Sequence, residues 1–121
     1  MVPRVLVADD DSSSLEVLGA LLTGWGYEVE TASDGQIAHQ KAAARPPALV
    51  ITDLVMPRLN GLELLEALHR RSPDIPVIVV TGRAGFGLAL RAAWHGAYEV
   101  LLKPVDVPRL KTLIAQAIGS S

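Results

Sequence analysis

Short apolar runs and longer segments of helical periodicity alternate along this chain, and the alternation restricts the fold more than any other feature. Four runs are almost wholly apolar, at residues 5–8, 48–52, 76–80 and 100–102. A fifth candidate strand, residues 28–31, alternates charged and branched side chains, which is typical of the edge of a sheet. Strands that alternate with helices form parallel sheets covered on both faces. The pattern therefore predicts an α/β fold with a five-stranded parallel sheet.

Helices are predicted after each of these strands. Apolar residues recur at spacings of three and four in them, as Leu15, Leu18 and Leu22 do in the first helix. Asp11, or Ser12 beside it, is a suitable N-cap for the first helix, and the last helix begins at an aspartate that can cap it. The predicted helices are residues 13–23, 35–44, 61–71 and 87–94, with a fifth that starts at Asp106.

Polar side chains follow four of the strands at the point where each strand ends. They are Asp9 and Asp10, Asp53, Thr81, and Lys103. Because the carboxyl ends of parallel strands share one edge of the sheet, we expect these side chains to lie together. Three neighbouring carboxylates raise one another's pKa unless a cation lies among them, and Mg²⁺ prefers oxygen ligands. A hydroxyl and an ammonium group suit phosphate, so the sequence predicts a metal-assisted phosphoryl site with an aspartate acceptor.

The composition argues against several classes of function. With 11 basic and 13 acidic residues the net charge is −2, which does not favour a nucleic-acid-binding face. The absence of cysteine excludes disulfides, thiolate metal sites and a cysteine nucleophile. No apolar run approaches the ~20 residues of a membrane span, and the first strand begins too early for a signal peptide. We expect a single cytoplasmic domain over residues 1–121, with residues 119–121 as either the start of a linker or the end of the chain.

Several short motifs, taken in order and spacing, resemble the receiver domain of two-component response regulators. They are Val7-Ala8-Asp9-Asp10-Asp11, Asp53-Leu54-Val55-Met56-Pro57-Arg58-Leu59-Asn60-Gly61, Val80-Thr81-Gly82, Gly96-Ala97-Tyr98 and Lys103-Pro104. The resemblance covers nearly the whole chain. It implies a flavodoxin-like, doubly wound (βα)5 fold with strand order 2-1-3-4-5. It also implies a phosphorylation-activated signalling switch, which catalyses only its own phosphorylation and dephosphorylation.

The resemblance also implies a role for each site residue. Asp53 is the phosphoacceptor, and the donor is a phosphohistidine of a sensor histidine kinase or phosphotransfer protein. Thr81 and Lys103 contact the phosphoryl group, and the peptide bond before Pro104 is cis. The implied ligands of Mg²⁺, for which Mn²⁺ is a substitute, are oxygen atoms of Asp9, Asp10, Asp53 and the Val55 main chain.

The output surface implied by the resemblance consists of the fourth helix, the fifth strand and the fifth helix. This face is expected to control an output domain or partner and is a candidate homodimer interface. Receivers commonly carry Tyr or Phe three residues before the site lysine, where this chain has Val100. Tyr98 lies two residues earlier, on the same strand face if the strand extends that far. Either Tyr98 or the loop of residues 82–87 is therefore expected to follow Thr81 when that side chain moves.

Two other functions remain open from the sequence. The Asp9-x-Asp11 spacing matches the motif of haloacid-dehalogenase-like phosphatases, which use an aspartate nucleophile after the first strand. Against this, the chain is short for that fold, has no later acidic motif for Mg²⁺, and leaves Asp53 unexplained. The other alternative is a receiver-shaped interaction module that never accepts phosphate. Such modules usually lack one of the site residues, and this chain has all of them.

Overall fold

The computed structural model describes residues 2–119, in which strands and helices alternate from one end to the other. The strands are β1 (Arg4–Ala8), β2 (Glu28–Ala32), β3 (Leu49–Thr52), β4 (Val77–Thr81) and β5 (Glu99–Leu102). The α-helices are α1 (Ser12–Gly24), α2 (Gly35–Ala44), α3 (Gly61–Arg71), α4 (Phe86–Trp94) and α5 (Val107–Gly119). A 3-10 turn, Arg83–Gly85, leads directly into α4. Ser120 and Ser121, part of the candidate linker, lie outside the described residues.

The strands form one parallel sheet in the order β2-β1-β3-β4-β5. In register, Val5 of β1 lies between Val29 of β2 and Leu49 of β3. The chain moves outward from β1 to β2, then crosses back to β3 and continues in the other direction. Such a reversal creates a crevice outside the carboxyl ends of the two strands that flank it. The predicted doubly wound fold is confirmed, and the crevice lies where Asp9 and Asp53 follow β1 and β3.

The sheet buries one apolar cluster on each face. On one face Leu6, Val50 and Val79 pack with α2, α3 and α4. On the other face Val7 and Ile51 pack with α1 and α5. Every residue of β3 and β4 is buried, which explains why their sequences are apolar without alternation. Burial on both faces fixes the strand register, and the register fixes which residues reach the carboxyl edge.

The first edge of the sheet is formed by β2, as its alternating sequence predicts. Glu28 is exposed and Glu30 is half-buried. Glu30 forms an ion pair with Arg4, whose side chain is buried at the start of β1. The polar face of β2 is therefore partly solvated and partly neutralised by its neighbour strand.

Polar side chains determine where several helices begin. Asp11 Oδ1 accepts a hydrogen bond of 3.1 Å from the main-chain N–H of Ser13, and Asp106 Oδ1 accepts one of 3.1 Å from the third residue after it. Both predicted N-caps are confirmed. At the start of α3, Asn60 and Glu63 form a reciprocal capping box. Each cap fixes the end of a loop that begins at the carboxyl edge of the sheet.

Tyr98 lies before β5, at the opposite end of the sheet from Thr81. Its main-chain N–H donates to the carbonyl oxygen of Val77 at 2.7 Å, whereas Thr81 is in register with Leu102. The four residue steps from Val77 to Thr81 correspond to about 13 Å along a parallel strand. β5 does not extend back to Tyr98, and the Tyr98 main chain lies at the opposite end of β4 from Thr81.

Candidate functional site

The carboxyl edge of the sheet brings Asp53 beside Asp9. The main-chain N–H of Asp53 donates to the carbonyl oxygen of Ala8 at 3.0 Å, so the β1–β3 ladder continues into the first residue after β3. The main-chain N–H of Asp9 donates in turn to the carbonyl oxygen of Ala32 at the end of β2. Main-chain pairing of the strands therefore positions both aspartates, independently of any contact that their side chains make.

Both carboxylate oxygens of Asp53 have hydrogen-bond donors, but the two are unequally occupied. Oδ1 accepts bonds from the main-chain N–H groups of Leu54 at 2.6 Å and Val55 at 3.3 Å, and from Thr81 Oγ1 at 3.0 Å. Oδ2 accepts one bond, of 3.0 Å, from Lys103 Nζ. The Asp53 side chain is 11% exposed, which leaves it reachable from solvent. Oδ2 thus retains more capacity to bind a cation or to attack an electrophile.

The Lys103 ammonium group bridges the two carboxylates. Its Nζ lies 3.0 Å from Asp53 Oδ2 and 3.2 Å from Asp9 Oδ2. Burial alone lowers the pKa of Lys103, but the bonds to Asp53 and then Asp9 outweigh burial and raise the pKa above its usual value. The lysine therefore stays charged and marks the point on which two carboxylates converge. The peptide bond between Lys103 and Pro104 is cis.

Asp9 is the more deeply buried of the two carboxylates, at 3% exposure. Oδ1 accepts a bond of 3.0 Å from the main-chain N–H of Asp11. Burial, with a smaller contribution from the negative charge of Asp53, raises the pKa of Asp9 despite the opposing effects of the Asp11 N–H and of Lys103. The donors present therefore do not fully compensate the buried negative charge, and a further cation at this position would do so.

The oxygen donors at this edge fit a hard divalent cation such as Mg²⁺. Such a cation is commonly bound by one or two carboxylates together with retained waters, and Asp9 and Asp53 supply two. Val55, two residues after Asp53, is 44% exposed. Asp10 is exposed. Within residues 2–119 no three acidic or histidine side chains are preassembled as a metal cluster, so Asp10 does not join Asp9 and Asp53 in a ready-made site.

Glycines bring two main-chain segments against the reactive side chains. A β-carbon added at Gly85 would lie 1.9 Å from Thr81 Oγ1, so the 3-10 turn rests directly on that hydroxyl. A β-carbon at Gly61 would lie 2.0 Å from the carbonyl oxygen of Asp53, so α3 begins directly against the main chain of Asp53. At Gly82 the nearest atom would be Lys103 Cδ at 3.9 Å, which leaves space beside the lysine.

One polar contact near the site was not predicted from the sequence. Arg58 Nη1 lies 2.6 Å from Asp34 Oδ2, although the two residues are 24 positions apart. Asp34 and the glycine after it are a recognisable helix start, so the sequence contains a signal for the N-cap. No sequence pattern indicates that the β3–α3 loop folds back onto that cap.

Comparison with known proteins places these residues in a family. Residues 5–115 match the family model for the response regulator receiver domain. The transcriptional regulatory protein ZraR of Klebsiella oxytoca is 36% identical over 115 residues, which are 95% of this chain and 26% of that protein. The DNA-binding transcriptional regulator NtrC of Rhizobium meliloti is 38% identical over 115 residues, which are 95% of this chain and 24% of that protein. The chain thus spans about a quarter of the length of these curated relatives.

Solved structures of receiver domains share the fold over nearly their whole length. A receiver domain protein from Clostridium thermocellum superposes with a TM-score of 0.92 at 34% identity and covers 98% of this chain and 96% of its own. A CheY-like receiver domain protein from Methanospirillum hungatei superposes with a TM-score of 0.93 at 30% identity, covering 99% and 96%. Since the family model matches most of the sequence and the strand order is the same, this chain belongs to the receiver domain family of two-component response regulators.

Proposed function

We propose that this domain is a phosphorylation-activated switch in which Asp53 accepts a phosphoryl group from a phosphohistidine of a sensor histidine kinase or phosphotransfer protein. One observation carries the proposal: a single half-buried carboxylate contacts both the Thr81 hydroxyl and the Lys103 ammonium group. A structural aspartate at a strand end needs neither partner. A hydroxyl donor on one carboxylate oxygen and a fixed positive charge on the other are suited to a transferring phosphoryl group.

The reaction forms an acyl phosphate on the acceptor. A carboxylate oxygen of Asp53 attacks phosphorus, the phosphorus–nitrogen bond of the donor breaks, and its electron pair remains on the imidazole. Lys103 neutralises charge on the transferred group, and Thr81 donates to one of its oxygens. The N–H groups of Leu54 and Val55 hold Oδ1, so attack by Oδ2 leaves these bonds on the carbonyl oxygen of the product.

Asp9, Asp53 and the main-chain carbonyl of Val55 are the proposed protein ligands of Mg²⁺, with Mn²⁺ as a substitute. When bound, the ion supplies positive charge that offsets repulsion between the carboxylates and an incoming phosphoryl group. Asp10, which is exposed at the same edge, is the fourth proposed ligand. The raised pKa of Asp9 supports this assignment, because a buried carboxylate with incomplete compensation is stabilised by an added cation.

We infer that the loop of residues 82–87, rather than Tyr98, follows Thr81 when it engages the phosphoryl group. The turn packs on the Thr81 hydroxyl through Gly85, whereas Tyr98 lies about four strand positions away. Val100 packs against the buried cluster beneath α4 and has no ring that can change places with Thr81. A shift of Thr81 toward phosphate therefore acts first on the turn, and through it on the start of α4.

The output surface proposed from these contacts is the face made by α4, β5 and α5. Phe86, Leu90 and Trp94 recur every four residues on α4 and are 52%, 81% and 88% exposed. Leu102 on the edge strand β5 is 50% exposed. Clustered apolar exposure of this kind marks interaction surfaces. The face is a candidate for binding an output domain, a partner protein or a second copy of the chain.

Phosphorylation of the purified domain tests the acceptor. Incubation with acetyl phosphate and Mg²⁺ should add one phosphoryl group to the parent protein, read by intact-mass spectrometry. Asp53→Asn should remove the modification, whereas Asp74→Asn, at an exposed aspartate in the α3–β4 connection, should leave it unchanged. Modification that persists in Asp53→Asn but is lost in Asp9→Asn would instead favour the phosphatase alternative. Against that alternative, the Asp11 carboxylate bonds within the first turn of α1.

The output surface is tested by association in the presence of beryllofluoride, which stands in for the phosphoryl group. Leu90→Asn should weaken any beryllofluoride-dependent dimer in sedimentation, and Val17→Asn, a 60% exposed position on α1, should not. Equal dimerisation of the two variants would contradict a homodimer through this face. Amide hydrogen exchange should change in α4 and β5, and changes confined to α1, α2 and α3 would contradict the assignment of the output face.

A further inference from the structure

Arg58, in the β3–α3 loop, is the only non-glycine residue with a positive φ angle among residues 2–119, and its φ is +67°. This left-handed conformation is unfavourable for any residue with a β-carbon. Residues held in such conformations persist only where surrounding contacts hold them, and they concentrate at functional sites. Arg58 lies five positions after the acceptor Asp53, so the question is what holds it there.

The contact that holds Arg58 is an ion pair with a buried carboxylate. Arg58 Nη1 lies 2.6 Å from Asp34 Oδ2, while Asp34 Oδ1 accepts a bond of 2.8 Å from the main-chain N–H of Ile37. The Asp34 side chain is 3% exposed and the Arg58 side chain is 66% exposed. The Ile37 N–H and the Arg58 guanidinium lower the pKa of Asp34. The buried partner is thus fixed as the N-cap of α2, and the arginine reaches it from the loop.

Main-chain packing brings the same loop segment onto the start of α2. A β-carbon added at Gly35 would lie 1.8 Å from the carbonyl oxygen of Leu59. The Leu59 N–H closes a tight turn by donating to the carbonyl oxygen of Pro57 at 2.8 Å. Arg58 lies inside this turn. Its side chain and the carbonyl of its neighbour therefore contact two adjacent residues of one helix N-terminus.

The other end of the loop is bonded to the acceptor. The N–H groups of Leu54 and Val55 donate to Asp53 Oδ1, and the Gly61 N–H donates to the carbonyl oxygen of Leu54 at 2.9 Å. The loop is therefore anchored at Asp53, at Gly61 and, between them, at Arg58. Val55 lies on the part of the loop between the first anchor and Arg58. Only two residues, Met56 and Pro57, separate Arg58 from Val55.

We propose that Arg58 is a positioning residue for phosphoryl transfer, acting through its ion pair with Asp34 to fix the β3–α3 loop on α2. In this arrangement the Leu54 and Val55 N–H groups stay bonded to the Asp53 carboxylate, and the Val55 main chain stays in the position from which it would bind Mg²⁺. The part that concerns Mg²⁺ rests on the proposed function. The part that concerns the two N–H groups does not, because those bonds join protein groups only.

Three substitutions separate the ion pair from other properties of Arg58. Arg58→Met keeps a long side chain and the same backbone preference but removes the charge, and Arg58→Lys is its charge-retaining control. Asp34→Asn removes the carboxylate charge and retains an N-cap for α2. In metal-free protein, Arg58→Met and Asp34→Asn should each accelerate hydrogen exchange at the Leu54 and Val55 amides. Arg58→Lys should remain closer to the parent.

Mg²⁺ titration followed by NMR chemical shifts supplies the second measurement. Arg58→Met should raise the Mg²⁺ dissociation constant by about tenfold, the lower end of the effect of losing an outer-shell partner. Asp34→Asn should do the same, and the double variant should add little further because both changes remove one contact. Arg58→Gly should weaken Mg²⁺ binding without lowering the urea midpoint, since glycine relieves the positive φ. A purely structural role predicts that affinity and stability change together.

The outcomes distinguish this inference from the proposed function. Exchange rates at Leu54 and Val55 that equal those of the parent in both Arg58→Met and Asp34→Asn overturn the inference. An equal acceleration of exchange in Arg58→Met and Arg58→Lys also overturns it. If the parent protein neither binds Mg²⁺ nor is phosphorylated, the proposed function fails, and the exchange rates of the metal-free variants still decide whether Arg58 positions the loop. If Arg58→Met does not fold, Asp34→Asn compared with the parent still tests the ion pair. If Asp34→Asn does not fold, Arg58→Met compared with Arg58→Lys tests it.

Discussion

Asp9 and Asp34 each follow a neighbouring strand at the same edge of the sheet, and they are almost equally buried, at 3% and 2% exposure. Their pKa values nevertheless move in opposite directions. Burial raises the pKa of Asp9, whereas the Ile37 N–H lowers the pKa of Asp34 with the help of Arg58. Burial alone therefore does not decide whether the pKa of a carboxylate is raised or lowered. The direction also depends on how many hydrogen-bonding and charged partners the carboxylate has, and on whether it shares them.

The difference lies in how each carboxylate is compensated. Asp34 has a guanidinium at 2.6 Å that forms no second ion pair among the contacts of residues 2–119. Asp9 has an ammonium at 3.2 Å that is also bonded to Asp53. One cation shared by two carboxylates leaves negative charge uncompensated, and the proposed Mg²⁺ would offset that charge. A fully compensated carboxylate, by contrast, is suited to holding a loop in place.

The largest expected difference between the two aspartates is in phosphorylation. Asp9→Asn should slow Mg²⁺-dependent labelling by acetyl phosphate by at least about 100-fold, because it removes a proposed metal ligand rather than an outer partner. Asp34→Asn should slow it by about tenfold, through the position of the loop. Initial rates at saturating Mg²⁺ and in excess EDTA measure both effects. A larger loss in Asp34→Asn than in Asp9→Asn would reverse the assignment of the two residues.

The same two variants should change the stability of the fold in opposite directions. In metal-free protein at neutral pH, Asp9→Asn should raise the free energy of unfolding by about 1 kcal/mol, since it removes an incompletely compensated buried charge at a functional site. Asp34→Asn should lower the urea midpoint, because it leaves Arg58 without its carboxylate. Urea denaturation of both variants beside the parent provides the measurement. If both variants are destabilised, the Asp9 charge is better compensated than its surroundings indicate.

Much of the fold follows from the sequence because burial and periodicity are local signals. Every predicted strand and helix boundary lies within one residue of the observed one. The strand predicted at residues 76–80, for example, is observed one residue later, at Val77–Thr81. The meeting of Asp9, Asp53, Thr81 and Lys103 follows from parallel strands sharing one carboxyl edge. The motif spacing was enough to identify the family, since each residue ends a different strand.

Other features depend on contacts between distant segments and have no local signal. From the sequence, Arg58 is indistinguishable from an ordinary surface residue in a loop, because its partner Asp34 is 24 positions earlier. The position of Tyr98 depends on where β5 begins, which is set by pairing with β4 rather than by its own sequence. The packing of Gly85 on Thr81 could not be inferred either, because a glycine in a loop does not indicate which side chain its missing β-carbon makes room for.

The smallest expected effect is a difference in the pH dependence of stability. The pKa of Asp9 in the folded metal-free protein lies above the ordinary value of 3.8, so the folded state binds this proton more tightly than the unfolded state. The cost of its charge is therefore absent below about that pH and complete above the raised pKa. For Asp34 the folded pKa lies below 3.8, so its stabilisation is present above that value and is lost as the pH falls through the lowered pKa.

Urea denaturation of the parent and of the two Asn variants, repeated from neutral to acidic pH in EDTA, measures this difference. The advantage of Asp9→Asn should disappear as the pH falls toward 3.8. The disadvantage of Asp34→Asn should persist to 3.8 and shrink only below it. Saturating Mg²⁺ should reverse the Asp9 trend, because a bound cation favours the charged carboxylate, and should leave the Asp34 trend unchanged. Parallel pH profiles for the two variants, or a Mg²⁺ effect of equal size on both, would show that the two carboxylates are compensated alike.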